Sequence, residues 1–276
     1  LYYSPPQIRL PTGAGANPEI VQRARAALTD AVVDEGRALL PEALRATVHT
    51  IVGTRDPRQG IVLAADGWLA ELIVVGARAR RKGGFGMRFL GSVAKSVAHA
   101  ASAPVLVVRS DGETQPGPLR VLVAFDGLAD SRQTAPFLKQ LTWPEQTTGR
   151  VMTVVTPYLD PEYSDWLARH PWDSDAEALA ATWAKEHQVE ARRRRDDLIE
   201  FSGQLPQPFR HSEPIVTEGQ PAERILETVE KEAIDLVVVG AKNRSVIDRL
   251  LMGSTSDTIL SHAHCSVLIV RERPQP

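Results

Sequence analysis

A single cysteine, Cys265, rules out an internal disulfide framework and fits a reducing compartment. Net charge is nearly absent: −2 over 276 residues gives no electrostatic reason for nucleic acid or an anionic membrane as partner. Long apolar runs are absent as well, since the longest, such as 72–75 and 236–239, fall far short of a bilayer span. No signal-peptide pattern is visible, so the expected location is cytoplasmic, although the chain opens at Leu1 rather than at a methionine. What is present is the composition of a soluble globular protein, 43% apolar and 24% charged, long enough for two domains of ordinary size.

The most informative feature is an internal repeat. The segment ELIVVGAR at 71–78 returns as DLVVVGAK at 235–242, and FLGSVAKSVAHAASAPVLVVR at 89–109 lies over LMGSTSDTILSHAHCSVLIVR at 251–271. Between Gly76 and Gly91 the first copy holds two more residues than the second holds between Gly240 and Gly253. A period this long means tandem domains rather than a solenoid. The predicted organisation is a first domain over 1–109, a polar, turn-rich linker over 110–118 and a second domain over 119–276.

Short apolar runs flanked by helical patterns predict buried parallel strands of an α/β fold. In the second copy, strands are expected at 120–125, 150–155, 211–217, 235–239 and 266–271, and helices at 131–141, 174–200, from 220, and at 253–261. Five strands with alternating helices make a doubly wound, mostly parallel sheet. The first copy reads as the same five-stranded design, N-terminally incomplete: helix 17–40, strand 45–52, helix 56–70, strand 72–75, a helix from Gly91 and strand 105–108. Ahead of these, residues 1–6 resemble only the tail of a second strand. Relative to the second copy about forty residues are missing, including a first strand and first helix, so the natural start is expected upstream of Leu1. A first strand sits centrally in such sheets, and without it buried backbone groups lack partners.

A strand that ends in a glycine loop and leads into a helix is a ready anion site. The helix N-terminus offers N–H groups and a partial positive charge, and glycine admits a phosphate to the backbone. In the second copy these parts are Gly240 after the strand and Gly253, Ser254 and Thr255 at the helix start, the last two adding hydroxyl donors. Gly240 alone reads as a turn glycine. Strand, loop, Gly-Ser and helix occurring together, twice, favour the site. Neither loop has the Walker ending Gly-Lys-Ser/Thr, and neither has the three close glycines of the dinucleotide fingerprint. Asp126-Gly127, at the carboxyl end of the first strand, reads as a turn by itself and as a ligand contact beside that loop.

Together these motifs resemble the universal stress protein family in its tandem-domain form. That family's phosphate loop has glycine, two residues, glycine, nine residues, then glycine and serine or threonine. Gly240, Lys242, Asn243, Gly253 and Ser254 fit this spacing, with Asn243 in place of the second glycine. VLVAFDG at 121–127, VTEGQPAERI at 216–225 and HAHCSVLIV at 262–270 are similar to the family's opening strand, third strand with helix start, and closing helix and strand.

The resemblance implies a site for ATP or a related adenine nucleotide in the second copy, with or without magnesium. Asp126, with Gly127, would meet the ribose or adenine, and Ala124, Val154 and Val216 would line the base pocket. Gly240, Lys242, Asn243, Gly253, Ser254 and Thr255 would surround the phosphates. It also implies antiparallel pairing of the last strands, 104–108 with 266–270, as an internal pseudo-dimer, with further homodimerisation expected. Leu128 replaces the serine usual after Asp-Gly. The first copy has no equivalent of Asp126 and carries Ala79 near the second-glycine position, while keeping GGFG at 83–86 and Gly91-Ser92.

Other signals read more plainly. His262, His264 and Cys265 crowd a helix-to-strand turn without zinc spacing and read as partners of helix carbonyls. The basic run 192–195, bracketed by Glu190, Asp196 and Asp197, reads as a solvated, paired helix surface. Arg78, Arg80, Arg81 and Lys82 crowd the first glycine loop, either favouring a phosphate or keeping the loop soluble, and 159–175 reads as a surface excursion. No nucleophile–base pair, metal cluster or positioned general base emerges beside the second loop. The function implied is a nucleotide-dependent stress-response regulator rather than a fast enzyme, with slow hydrolysis left open. The alternative is a dimerisation and interaction scaffold of the same fold that binds no nucleotide; a hydrolysing or nucleotidyl-transferring enzyme ranks third.

Overall fold

Parallel strands buried on both faces need helices on each side of the sheet, and the alternation of strand and helix in the sequence supplies them. The computed structural model describes residues 1–3, 18–53, 55–77, 90–109, 117–157, 174–241 and 252–271. Both glycine loops, most of the expected linker and most of the excursion over 159–175 lie outside these residues. The chain forms two compact units, Leu1–Ala70 and Glu71–Pro276.

The first unit holds β1 (Tyr2–Tyr3), α1 (Pro18–Ala38), α2 (Glu42–Arg45), β2 (Ile51–Val52) and α3 (Pro57–Gly67). β1 and β2 pair in parallel, Tyr2 opposite Ile51 and Tyr3 opposite Val52. The strand expected over 45–52 is reduced to Ile51–Val52, since the helical turn that Pro41 starts runs through Arg45. The Tyr2 ring lies against Gly53 and Gly60, where an added Cβ would stand 1.9 Å from the phenolic oxygen. α3 starts at Asp56, whose carboxylate accepts from the Arg58 amide at 2.9 Å, with Pro57 in the first turn. On α1, Thr29 and Val33 are buried while Ile20, Leu28 and Val32 are exposed.

The second unit is built on a seven-stranded sheet. Its strands are β3 (Ile73–Gly76), β4 (Val105–Val108), β5 (Arg120–Ala124), β6 (Thr148–Val155), β7 (Ile215–Glu218), β8 (Leu236–Gly240) and β9 (Ser266–Val270), in the order β3-β4-β9-β8-β5-β6-β7. Its helices are α4 (Ser92–Ala100), α5 (Ala129–Arg132), α6 (Thr134–Gln140), α7 (Ser174–Gly203), α8 (Gln207–Arg210), α9 (Pro221–Lys231) and α10 (Ser254–His262). β5 to β9 make the expected five-stranded, doubly wound arrangement, with β5 between β6 and β8 and all four neighbouring pairs parallel. The helix expected over 131–141 is divided into α5 and α6. Pro136 has no N–H to return to the Arg132 carbonyl, so the helix breaks at Gln133.

The core of this unit gathers Val121, Val123 and Val151 from the sheet against Leu138, Leu198 and Phe201 from the helices. Phe125 stacks on Phe201 at 4.2 Å between centroids. Phe209 closes the lower end: its ring lies on Gly149 of β6, where a Cβ would come within 2.2 Å of a ring carbon. Among the described residues no helix is long and apolar enough to cross a membrane.

β4 joins β9 antiparallel, Val105 opposite Ile269, Leu106 opposite Leu268 and Val107 opposite Val267. This is the strand pairing expected between 104–108 and 266–270. An arginine leaves each strand to finish the other repeat's helix. Arg109 donates to Leu260 O at 2.5 Å and Cys265 O at 3.2 Å, and Arg271 donates to Ala98 O and His99 O. Guanidinium donors at these positions satisfy carbonyls that a helix C-terminus leaves open.

Two measurements follow from this packing. Gly149→Ala forces the Phe209 ring aside, and urea unfolding is expected to show a loss of about 1–3 kcal/mol. Cys265 is buried, and that burial pushes its thiol up to about 11. Raised above its unfolded value, the thiol favours the fold below about pH 9 and loses that contribution as pH climbs toward 11. Iodoacetamide at pH 8 is therefore expected to leave Cys265 unlabelled in the folded protein and to label it in urea, as read by intact mass.

Candidate functional site

Between β5 and β8 the strand order reverses, the point at the carboxyl edge of such a sheet where a crevice forms. A cavity of about 490 Å³ fills it. The end of β5 supplies Ala124 and Asp126, β6 supplies Val154, and β8 supplies Gly240. Gly253, Ser254 and Thr255 come from the start of α10. Residues chosen from four separate stretches of sequence thus face one space.

Other expected residues fall elsewhere. Val216 is half-buried on β7 against the hydrophobic core, opposite Thr153, and does not line the cavity. Gly127 also lies outside the lining; with φ of +77° it turns the chain out of β5. Lys242 and Asn243 lie outside the described residues.

The two ends of the cavity have different characters. At the α10 end, Gly253 is the N-cap and brings no side-chain acceptor, so the helix start meets the cavity as backbone and hydroxyls. Ser256, buried in the same turn, donates from Oγ to Gly240 O at 2.8 Å and ties α10 to the end of β8. Met152, Val154, Val239 and Ile225 give the cavity an apolar stretch. At the β5 end, Asp126 accepts the Leu128 amide on Oδ1 at 3.0 Å.

A family model described as the universal stress protein family matches residues 1–109 and 119–271. The chain belongs to that family. A universal stress protein of Mycolicibacterium smegmatis is 29% identical over 211 residues, which cover 74% of this chain and 63% of that relative's length. One from Mycobacterium tuberculosis (strain H37Rv) is 26% identical over 254 residues, covering 87% of this chain and 77% of its own. The solved universal stress protein of Archaeoglobus fulgidus has a TM-score of 0.52 at 18% identity, over 95% of this chain and 82% of that one, a likeness of fold.

In this member of the family the long α7 also reaches the site, which the sequence reading missed. Glu190 and Arg194 line the cavity. Arg194 Nε lies 2.7 Å from Glu190 Oε1, and Nη1 donates to the Asp126 carbonyl. The run 192–195 reads as a solvated, paired surface; Arg194 is paired with Glu190 but half-buried, while Arg192, Arg193 and Arg195 are exposed. The signal was periodicity. Glu190, Arg194 and the buried Leu198 follow one another every four residues, so one helix face runs from the core to the cavity rim.

His262 binds Thr258 O through Nδ1 at 2.9 Å, and His264 lies 3.5 Å from Glu230. Because the Ser256 hydroxyl fixes α10 against β8, Ser256→Ala is expected to lower stability by about 1 kcal/mol in thermal unfolding. Ser254→Ala, on the cavity side, is expected to leave stability within about 0.5 kcal/mol of wild type.

Proposed function

We propose that this universal stress protein binds ATP or a related adenine nucleotide in the β5–β8 crevice and acts as a nucleotide-dependent stress-response regulator. In this reading residues 1–109 and 119–276 are two domains of the family, joined by 110–118, and the second holds the ligand. One observation carries the proposal. Asp126, Gly240 and the Gly253-Ser254-Thr255 turn, selected for three different chemical reasons, line a single cavity at the strand-order reversal.

The parts suit a nucleotide in sequence. The N-terminus of α10 and its hydroxyls favour phosphate, with or without magnesium. Ala124, Met152 and Val154 offer an apolar wall to a base, and Asp126 offers a carboxylate to a sugar. A volume of about 490 Å³ falls within the range of small-molecule sites. Slow turnover rather than fast catalysis fits this lining, where Glu190 is engaged by Arg194 and Asp126 takes the Leu128 amide on Oδ1.

Calorimetric titration with ATP, with and without magnesium, tests the reading. Saturable binding to one site is expected, weakened at least about tenfold by Gly253→Asp and by Asp126→Ala. An aspartate at 253 suits the helix dipole and so preserves the fold, while its charge opposes phosphate. Absence of binding at millimolar ATP would favour the scaffold reading instead.

A further inference from the structure

The join between β4 and β9 follows a two-fold pattern that the internal repeat supplies. Leu106 stands opposite Leu268, and the two hold the same place in their copies. On either side Val105 faces Ile269 and Val107 faces Val267, so each flanking pair repeats the other with the copies exchanged. The arginines are exchanged in the same way: Arg109 Nη2 donates to Leu260 O, and Arg271 Nη2 donates to Ala98 O. In such an isologous contact a residue beside the axis meets its own equivalent. Strand edge and arginines are common to both copies. By themselves they would serve a join of two first repeats, or of two second repeats, as well as the mixed one.

Charge breaks this symmetry. Lys95 on α4 and Asp257 on α10 each lie four residues after the glycine of a Gly-Ser turn, so they too are equivalent. They meet across the join, with Lys95 Nζ 3.4 Å from Asp257 Oδ1. His99 adds its Nε2 at 2.8 Å from the same oxygen, and Ser261 holds the equivalent place in the second copy. Two first repeats joined in this geometry would set lysine against lysine. Two second repeats would set aspartate against aspartate, with neither lysine nor histidine to relieve them. We propose that the Lys95–Asp257 pair selects the partner at this edge: the β9–α10 face takes the β4–α4 face and rejects a second copy of itself. Both side chains are part-exposed, 47% and 36%, so the attraction alone is modest. Discrimination comes from the difference between attraction in the mixed join and repulsion in the two uniform ones.

Single charge reversals recreate the uniform joins inside one chain. Lys95→Asp gives the aspartate pair and Asp257→Lys the lysine pair, while the double reversal restores attraction with the signs exchanged. Thermal unfolding of the four full-length chains at low salt is expected to show midpoints about 2–4 °C lower for each single variant. The double variant is expected to regain at least about half of the summed loss. In about 1 M salt, where charges are screened beyond about 3 Å, the single losses are expected to fall by half or more. Should a single reversal fail to fold, Lys95→Gln and Asp257→Asn replace the pair, each lowering the midpoint and the two together lowering it no further than one. Losses that simply add in the double variant, or that persist undiminished in high salt, overturn the proposal.

Discussion

The carboxyl edge of the sheet depends on β5 being hydrogen-bonded on both sides. Buried backbone groups need partners, and β5 takes them from β6 along Arg120–Ala124 and from β8 along Val121–Val123. Its start is fixed as well: the Asp235 carboxylate accepts the Arg120 amide at 2.8 Å and pairs with the same residue's guanidinium. With both registers set, the ends of β5, β6 and β8 come together at the cavity. The first repeat lacks this arrangement among the described residues. β3 has β4 on one side, and β1 with β2 make a separate two-stranded sheet.

The join between repeats is continuous with the site. α10 meets the cavity at its N-terminus, while the Leu260 carbonyl in its last turn accepts from Arg109 of the first repeat. Midway along, Asp257 binds His99 at 2.8 Å and lies 3.4 Å from Lys95, both on α4. Burial alone would raise the Asp257 carboxyl, but the His99 hydrogen bond and the Lys95 charge hold it below the usual range. A nine-residue helix therefore carries the anion end of the crevice at one tip and the other repeat's arginine at the opposite tip.

The sequence was most legible where one physical rule dominated. Apolar runs of four or five residues located the strands of the second unit to within a few positions, since a strand buried on both faces tolerates few polar residues. The glycine and hydroxyl turn at 253–255 was legible because backbone access to an anion demands small residues. Where tertiary partners decide, the reading failed. Strand β2 starts late because α2 takes the chain through Arg45, and α5–α6 divided at a proline whose effect depends on its place in the turn. Arg194 was hidden inside a basic run, where composition suggested water and only registry with Leu198 pointed inward.

At one margin of the seven-stranded sheet β3 is paired with β4 alone among the described strands, and Val74 there is 58% exposed. An exposed valine on an edge strand favours association, and Glu71, just before it, is the kind of charged gatekeeper that slows such accretion.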